Sequence, residues 1–328
     1  MEIMDIGLYI NGAKNSLDSK SNVLGEELLG EAICRALTKI KNVKSAVLYA
    51  CNYLPDRKLD FMVYLNDTEP NTDWARRHIL YMQNAYQEGS DLALRRFQKI
   101  KYDGYAFISK RLLNIHINDG YKGIYLPFGV DTDFFYPRAK DKSLSFEVAY
   151  VGNDKGQYRT TNYICPALNF DFGLFGNWYL SRRKTSPLRK LKFWKKRRPV
   201  PEYRKMLANV SRGKIPQEQV PILYSSANVN LNYTTQDSVD WGVITARTFD
   251  VLACKGFLIS DKTSYAETLL KDCVVFTEGG DDLVEKIRYY INNPKKTEEI
   301  AQNGYEYVIK NGSIDSRAQE LFNYMQEI

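Results

Sequence analysis

Histidine is almost missing from this sequence: His78 and His116 are the only two among 328 residues. Metal centres built on imidazole are thereby nearly excluded, and each histidine is expected to play a structural or surface part. Cysteine is also scarce. Cys34, Cys51, Cys165, Cys254 and Cys273 stand singly, with no C-x-x-C pair and no histidine cluster nearby. That excludes a disulfide framework and a zinc module, and fits reduced thiols in a cytoplasm. Long apolar runs are lacking too, none approaching the roughly 18 residues of a membrane span. The opening MEIMDIGLYI places no basic segment ahead of an apolar one, so neither membrane spanning nor secretion is expected. What is present is ordinary for a soluble globular chain, 44% hydrophobic and 26% charged. At 328 residues it should divide into two domains, each able to bury its own core.

The net charge of +7 is concentrated in one place. Between Arg182 and Arg198 lie ten Lys/Arg and no acid, and without them the remainder carries −3. The protein is therefore a mildly acidic body with one basic patch, which argues against nucleic acid as the general partner.

Short apolar runs alternate with amphipathic segments. DIGLYI (5–10), SAVLYA (45–50), DFMVYL (60–65), YAFIS (105–109) and GIYLPF (123–128) have the length and content of buried strands. GEELLGEAICRALTKI and a longer segment around Arg76 to Lys99, which includes His78, are expected to be helices; His116 is placed in another. After the polar, proline-marked FGVDTDFFYPRAKDKS the pattern restarts with FEVAYVG (146–152), DFGLFG (171–176), ANVNLNY (227–233), GFLISD (256–261) and CVVFTE (273–278). Three helices follow, beginning near Asp281, Lys295 and Ser313. This predicts an α/β fold of two tandem, doubly wound Rossmann-like domains, 1–135 and 136–328, with ligands in the cleft between their sheets. A basic insertion occupies about 180–212, and the C-terminal helix packs back on the first domain.

Several stretches in order carry a family resemblance. YDGYAFISKRLLNIHINDGYKGIYLPFGVDTDFFYP resembles the interdomain segment of GT-B glycosyltransferases, which ends in a proline, a glycine, VD and F-x-P. VAYVGNDKGQYR resembles the first strand and phosphate loop of their C-terminal domain. GKIPQEQVPILYSSANVNLNY, RTFDVLACKGFLISD and FTEGGDDLVEKIRYYINNPKKTEEIAQNGYEYVIKN follow in the order found in the CgeB-type, or spore-maturation-like, glycosyltransferases. The resemblance runs from about Tyr102 to Asn311. It implies a GT-B fold and transfer of a sugar from a nucleoside-diphosphate sugar to a hydroxyl acceptor, with no cofactor and no metal beyond that co-substrate.

The chemistry asks for cations and backbone N–H groups at the diphosphate and a carboxylate at the ribose. In VGNDKGQYR, Gly152 and Gly156 allow close backbone approach, Asn153 lies between them, and Lys155 and Arg159 are candidates to reach the diphosphate. In RTFD, the resemblance assigns the ribose to Asp250, where related sequences usually carry glutamate. Arg247 lies one helical turn earlier, facing the phosphates or pairing with Asp250; Thr245 and Thr248 cap the helix or bind phosphate oxygens. The E-x7-E pattern of retaining family-four enzymes is broken, since Gly242 stands eight positions before Asp250. Asp237, Asp240 and Trp241 border the donor sugar or form an ordinary polar loop, and Asp240 is a catalytic candidate.

In the first domain Asp67, after DFMVYLN, is the candidate general base on an acceptor hydroxyl, and Asn11 and Gly12 line the acceptor side. Within the basic run, Arg182, Arg183, Lys190, Trp194, Lys195 and Arg197 are candidates to contact an anionic membrane surface or a polyanion, with Leu188, Leu191 and Phe193 as apolar partners. A membrane-touching enzyme on the inner face of the cell membrane suits a glycan or lipid-linked acceptor. Two other readings remain at this level: a nucleotide-sugar epimerase or hydrolase of the same fold, and a non-catalytic polyanion-binding protein.

Overall fold

The structure, a computed structural model, describes residues 3–15, 25–65, 68–83, 90–100, 102–178 and 199–328. The first half builds β1 (Met4–Ile10), α1 (Gly25–Thr38), β2 (Val43–Ala50), β3 (Leu59–Leu65), β4 (Ala75–Met82), α2 (Ser90–Gln98), β5 (Gly104–Phe107), α3 (Lys110–Asn118) and β6 (Ile124–Tyr125). Its six strands are all parallel, in the order β2-β1-β3-β4-β5-β6. The chain steps outward from β1 to β2 and then returns to the other side of β1. That reversal opens a crevice at the carboxyl ends of β1 and β3.

One expectation fails here. The segment from Arg76 does not form a helix: WARRHILYM supplies β4, and the helix α2 begins only at Ser90. Ile79, Leu80, Tyr81 and Met82 are each at most 1% exposed because both faces of this inner strand are covered. A short apolar run of this kind satisfies a buried strand as well as a helix face.

The second half builds β7 (Val148–Val151), α4 (Gln157–Tyr163), β8 (Phe172–Phe175), α5 (Glu202–Val210), α6 (Val220–Ser226), β9 (Val229–Asn232), α7 (Gln236–Asp240), α8 (Ala246–Ala253), β10 (Leu258–Asp261), α9 (Ser264–Leu269), β11 (Val275–Thr277), α10 (Gly280–Asn292), α11 (Pro294–Asn311) and α12 (Ile314–Glu327). Five parallel strands take the order β11-β10-β9-β7-β8, so this sheet reverses between β7 and β9. The joint between α8 and β10 is a Schellman turn. Lys255 N–H donates to the Leu252 carbonyl and Gly256 N–H to the Val251 carbonyl, both at 3.0 Å. Lys255, not glycine, takes the left-handed conformation (φ 53°). Gly256 answers a different need, since a Cβ there would stand 2.6 Å from the Tyr224 carbonyl oxygen.

The last helix returns to the first sheet. Ser313 caps α12, and Ala318, Leu321, Phe322 and Met325 are buried in the same cluster as Ile33, Ala36 and Leu37 of α1. At its end the Tyr324 hydroxyl accepts from the Tyr105 N–H at 3.1 Å.

Both histidines are built into the first core. His116 is fully buried, with Nε2 3.1 Å from the Lys122 carbonyl and Nδ1 3.2 Å from the Gln98 amide nitrogen. That arrangement suits the neutral ring with its proton on Nε2. The Tyr105, Phe107 and Tyr121 rings surround it. His78 sits 3.0 Å from the Tyr64 hydroxyl. Burial lowers the pKa of both. A base whose folded pKa is depressed adds stability above its unfolded value and loses it as pH falls below about 6.5. The advantage in Tm of wild type over His116→Phe should therefore narrow between pH 7 and pH 5; a constant difference would show that His116 does not titrate on unfolding.

Candidate functional site

Between β7 and β9, where the second sheet reverses, one side chain spans the crevice. Arg247, in the first turn of α8, donates from Nε to the Val151 carbonyl at the end of β7 (2.8 Å) and from Nη1 to Asn232 Oδ1 at the end of β9 (2.7 Å). Its guanidinium lies over the Tyr150 ring, 4.9 Å from the centroid. Nη2 has no hydrogen bond among the described residues, and it abuts the backbone of Gly152. A Cβ at Gly152 would stand 2.7 Å from Nη2 and 2.5 Å from the Tyr150 hydroxyl oxygen, so only glycine fits. Gly176 serves the same loop from below, since a Cβ there would meet the Gly152 carbonyl oxygen at 2.0 Å.

Lys155 stands close enough to Arg247 for the guanidinium to act on its charge. Burial and then Arg247 lower its pKa to about 8, with Asp154 opposing. The Lys155 ammonium makes neither an ion pair nor a hydrogen bond among the described residues. Asp250, one turn along α8 from Arg247, is the opposite case. Its half-buried carboxylate has no hydrogen bond and no ion pair within 4 Å among the described residues. Burial pushes its pKa up to about 8, against the pull of Arg247 and with a push from Asp131. The expected alternative, a structural ion pair between Arg247 and Asp250, does not form. Two crowded cations and one desolvated carboxylate, none of them in an ion pair within 4 Å among the described residues, lie at the sheet reversal where ligands of such sheets bind.

The loop itself is held by a residue the sequence did not single out. Asp154 Oδ1 accepts from the Thr160 hydroxyl (2.7 Å) and the Gly156 N–H (3.0 Å), while Oδ2 accepts from the Tyr203 hydroxyl (3.0 Å) and Arg204 Nε (2.7 Å). Burial raises its pKa, but Thr160, Arg204, Gly156 and Tyr203 together leave it below the usual carboxylate value. Asn232 is the second unforeseen organiser. Its Oδ1 also accepts from Thr245 (3.2 Å), and its Nδ2 donates to Ser260 (2.9 Å) and Thr248 (3.4 Å). The polar alternation in NVNLNY was the available signal, since an asparagine on a buried strand needs a specific partner.

Two donor-side candidates have other duties. Arg159 is 7% exposed, paired through Nη2 with Asp261 and donating from Nε to the Thr234 carbonyl at 3.0 Å. It faces the interior of the domain because α4 turns this position toward the sheet, so its expected reach to the diphosphate is corrected to an internal ion pair. Asn153 likewise ties two loops together, accepting at Oδ1 from the Asn177 N–H (2.9 Å). Thr245 precedes α8 as its N-cap residue but makes no side-chain cap; its hydroxyl is turned to Asn232.

On the other side of the cleft, Asn11 and Gly12 follow β1 at the first sheet's reversal, and Asn11 Oδ1 accepts from the Thr68 hydroxyl at 2.8 Å. Asp67 lies outside the described residues. So do Arg182, Arg183, Lys190, Trp194, Lys195 and Arg197. Asp240 ends α7, and its exposed carboxylate accepts from Gln236 Nε2 at 2.8 Å. Among the described residues no group of three or more His, Cys, Asp or Glu is placed to hold a metal ion, and no helix is long and apolar enough to cross a membrane.

Two parallel-sheet Rossmann-like domains with a polar crevice at the second sheet's reversal define the GT-B class. Residues 159–323, slightly more than half of the chain, match the family described as glycosyl transferase-like, and the chain belongs to it. No curated protein sequence matches. In fold the chain is similar to a sucrose-phosphate synthase from Thermosynechococcus elongatus (TM-score 0.69, 11% identity, covering 99% of this chain and 98% of that one). It is similar as well to Anabaena Alr3699/HepE, solved with UDP and glucose (TM-score 0.66, 11% identity, 99% and 100% covered). A third similar structure is T4 phage BGT in complex with its UDP-glucose substrate (TM-score 0.59, 13% identity, 99% and 100% covered).

Proposed function

We propose that this glycosyltransferase takes its sugar, a hexose or a close relative, from a nucleoside-diphosphate donor bound across β7 and β9. The observation that carries the reading is the trio of Lys155, Arg247 and Asp250, gathered at the sheet reversal with no ion pair within 4 Å among the described residues. Lys155 and Arg247 Nη2 face the diphosphate, and Asp250 accepts from the ribose hydroxyls. The similar proteins solved with UDP or UDP-glucose support the same donor class. In the reaction the bond between the sugar's anomeric carbon and the β-phosphate oxygen breaks, and the acceptor oxygen bonds to that carbon. The acceptor's proton passes to a base, for which Asp67 is the candidate. Negative charge grows on the departing diphosphate, and cations already positioned there stabilise it without reorganising.

The order of motifs from Tyr102 to Asn311 supports a CgeB-type subgroup. The run of ten Lys/Arg between 182 and 198, interleaved with Leu188, Leu191, Phe193 and Trp194, supports contact with an anionic membrane and so a glycan or lipid-linked acceptor. Vesicles with and without anionic lipid would test that contact.

A thermal-shift panel of UDP-, GDP-, ADP- and dTDP-sugars tests the donor class. A ligand at one hundred times its Kd stabilises the fold by about 2.7 kcal/mol, several degrees in a protein of this size. One nucleotide class should raise Tm in wild type and not in Lys155→Ala; equal shifts in both would remove Lys155 from the site.

A further inference from the structure

The segment that leads into the donor crevice is gripped by the opposite domain. After β9 the chain forms α7, turns at Trp241 and Gly242, and enters α8 with Arg247 and Asp250. Trp241 and Val243 are 7% and 4% exposed, yet they belong to the buried cluster of the first domain, with Ile108 and Leu112, and not to the clusters of their own sheet. The start of α3 closes over them. The Ser109 hydroxyl donates to the Trp241 carbonyl at 2.8 Å, and Arg111 Nη1 donates to the Asp240 carbonyl at 2.8 Å. The Arg111 guanidinium lies over the Trp241 ring, 4.6 Å from its centroid. Between them, Lys110 stands 5.6 Å and 5.2 Å from the ring centroids of Tyr125 and Tyr265, one from each domain.

The gripped segment is a hydrogen-bonded turn. Gly242 takes the left-handed conformation (φ 68°), its N–H donates to the Val239 carbonyl (3.0 Å), and the Val243 N–H donates to the Ser238 carbonyl (2.8 Å). Trp241 is followed by the first turn of α8, where Arg247 sits, after only a few residues.

We propose that Ser109, Arg111 and Trp241 form an interdomain latch that fixes the donor crevice, with Arg111 as a positioning residue for nucleotide-sugar binding. The inference rests on the donor reading above and extends it: the crevice belongs to the second domain, but its entry segment is set by the first. Arg111 is exposed, so its replacement leaves both domain cores packed.

The test uses full-length Arg111→Ala and Arg111→Lys, with UDP-glucose and UDP as probes in calorimetry and small-angle scattering of the unliganded proteins. Losing a charge-assisted hydrogen bond and a ring contact should weaken UDP-glucose binding by about tenfold, with both domains still folded. Arg111→Lys, which keeps the charge, should recover part of that loss, and Arg111→Ala should scatter with a larger radius of gyration. Unchanged affinity and unchanged scattering would overturn the latch. If wild type binds none of the nucleotides, the donor reading fails separately, and the scattering comparison alone then decides whether the latch exists.

Discussion

Replacing Arg247 with methionine should lower kcat by about 10²- to 10³-fold, the loss seen when a preorganised donor aimed at developing charge is removed. Two of the three guanidinium nitrogens are committed, Nε to Val151 and Nη1 to Asn232, which fixes the plane in which Nη2 presents its protons beside Gly152. Methionine fills much of the volume and supplies no charge. Arg247→Lys separates the two duties. It restores a cation but cannot span Val151 and Asn232 together, so its kcat should fall between wild type and Arg247→Met. Both variants lose a hydrogen bond that ties α8 to β7 or β9, at a cost of about 1–3 kcal/mol, so kcat is compared at a temperature well below each variant's Tm. Equal activity in Arg247→Met and wild type would take the diphosphate away from this end of the crevice.

Asp250→Asn should do two opposite things. Removing the negative acceptor should weaken donor binding by about 10- to 100-fold, the range for a hydrogen bond to a charged group. It should also stabilise the unliganded protein. The folded pKa is pushed up from 3.8 to about 8, so the folded state keeps a proton that the unfolded chain releases. For an acid raised in this way, stability is present at low pH and is lost as pH rises from about 4 to about 8. Asparagine carries no such penalty. The variant should therefore be more stable than wild type at pH 8 by about 1–3 kcal/mol, after allowing for the group's partial exposure. The difference should vanish near pH 4. Melts across that range check the sign, and a variant that is less stable at pH 8 would contradict it. A stability gain coupled to a binding loss is the signature of a group kept for its ligand.

Lys155 adds the alkaline limb to the same account. UDP-glucose has no titrating group near neutrality, so the pH profile of its affinity reports the protein. Below about pH 8 Asp250 holds a proton that binding must displace, and above about pH 8 Lys155 loses the charge that the diphosphate needs. Affinity should peak near pH 8 and fall on both sides.

The two-sheet architecture was legible because strand content, turn residues and the polar break at FGVDTDFFYP repeat the same message at several places. The β4 segment was misread for a local reason: ILYM is short and apolar, and only its position between β3 and β5 settles what it forms. The structure brings together Gly152, Lys155, Arg247 and Asp250 in the candidate site, and each sits in a short motif whose residue types suit phosphate or ribose. Arg159 sits in the same motif, but no spacing rule reveals that α4 turns it inward to Asp261. Asp154 and Asn232 were missed because they act on other protein groups, and such work leaves no trace in a motif. Their partners, Thr160, Tyr203, Arg204, Thr245 and Ser260, come from four separate places in the chain. The grip of Ser109 and Arg111 on Trp241 is the same kind of fact, since only the fold brings residues more than a hundred positions apart into contact.

Calorimetric titration of wild type and Asp250→Asn with UDP-, GDP-, ADP- and dTDP-glucose at pH 8 and pH 6 addresses the central claim most directly. The account predicts that wild type binds one nucleotide class more tightly at pH 8 than at pH 6, and that Asp250→Asn binds it more weakly with little change between the two. Binding that ignores both the substitution and the pH, or no nucleotide binding by wild type at all, would contradict it.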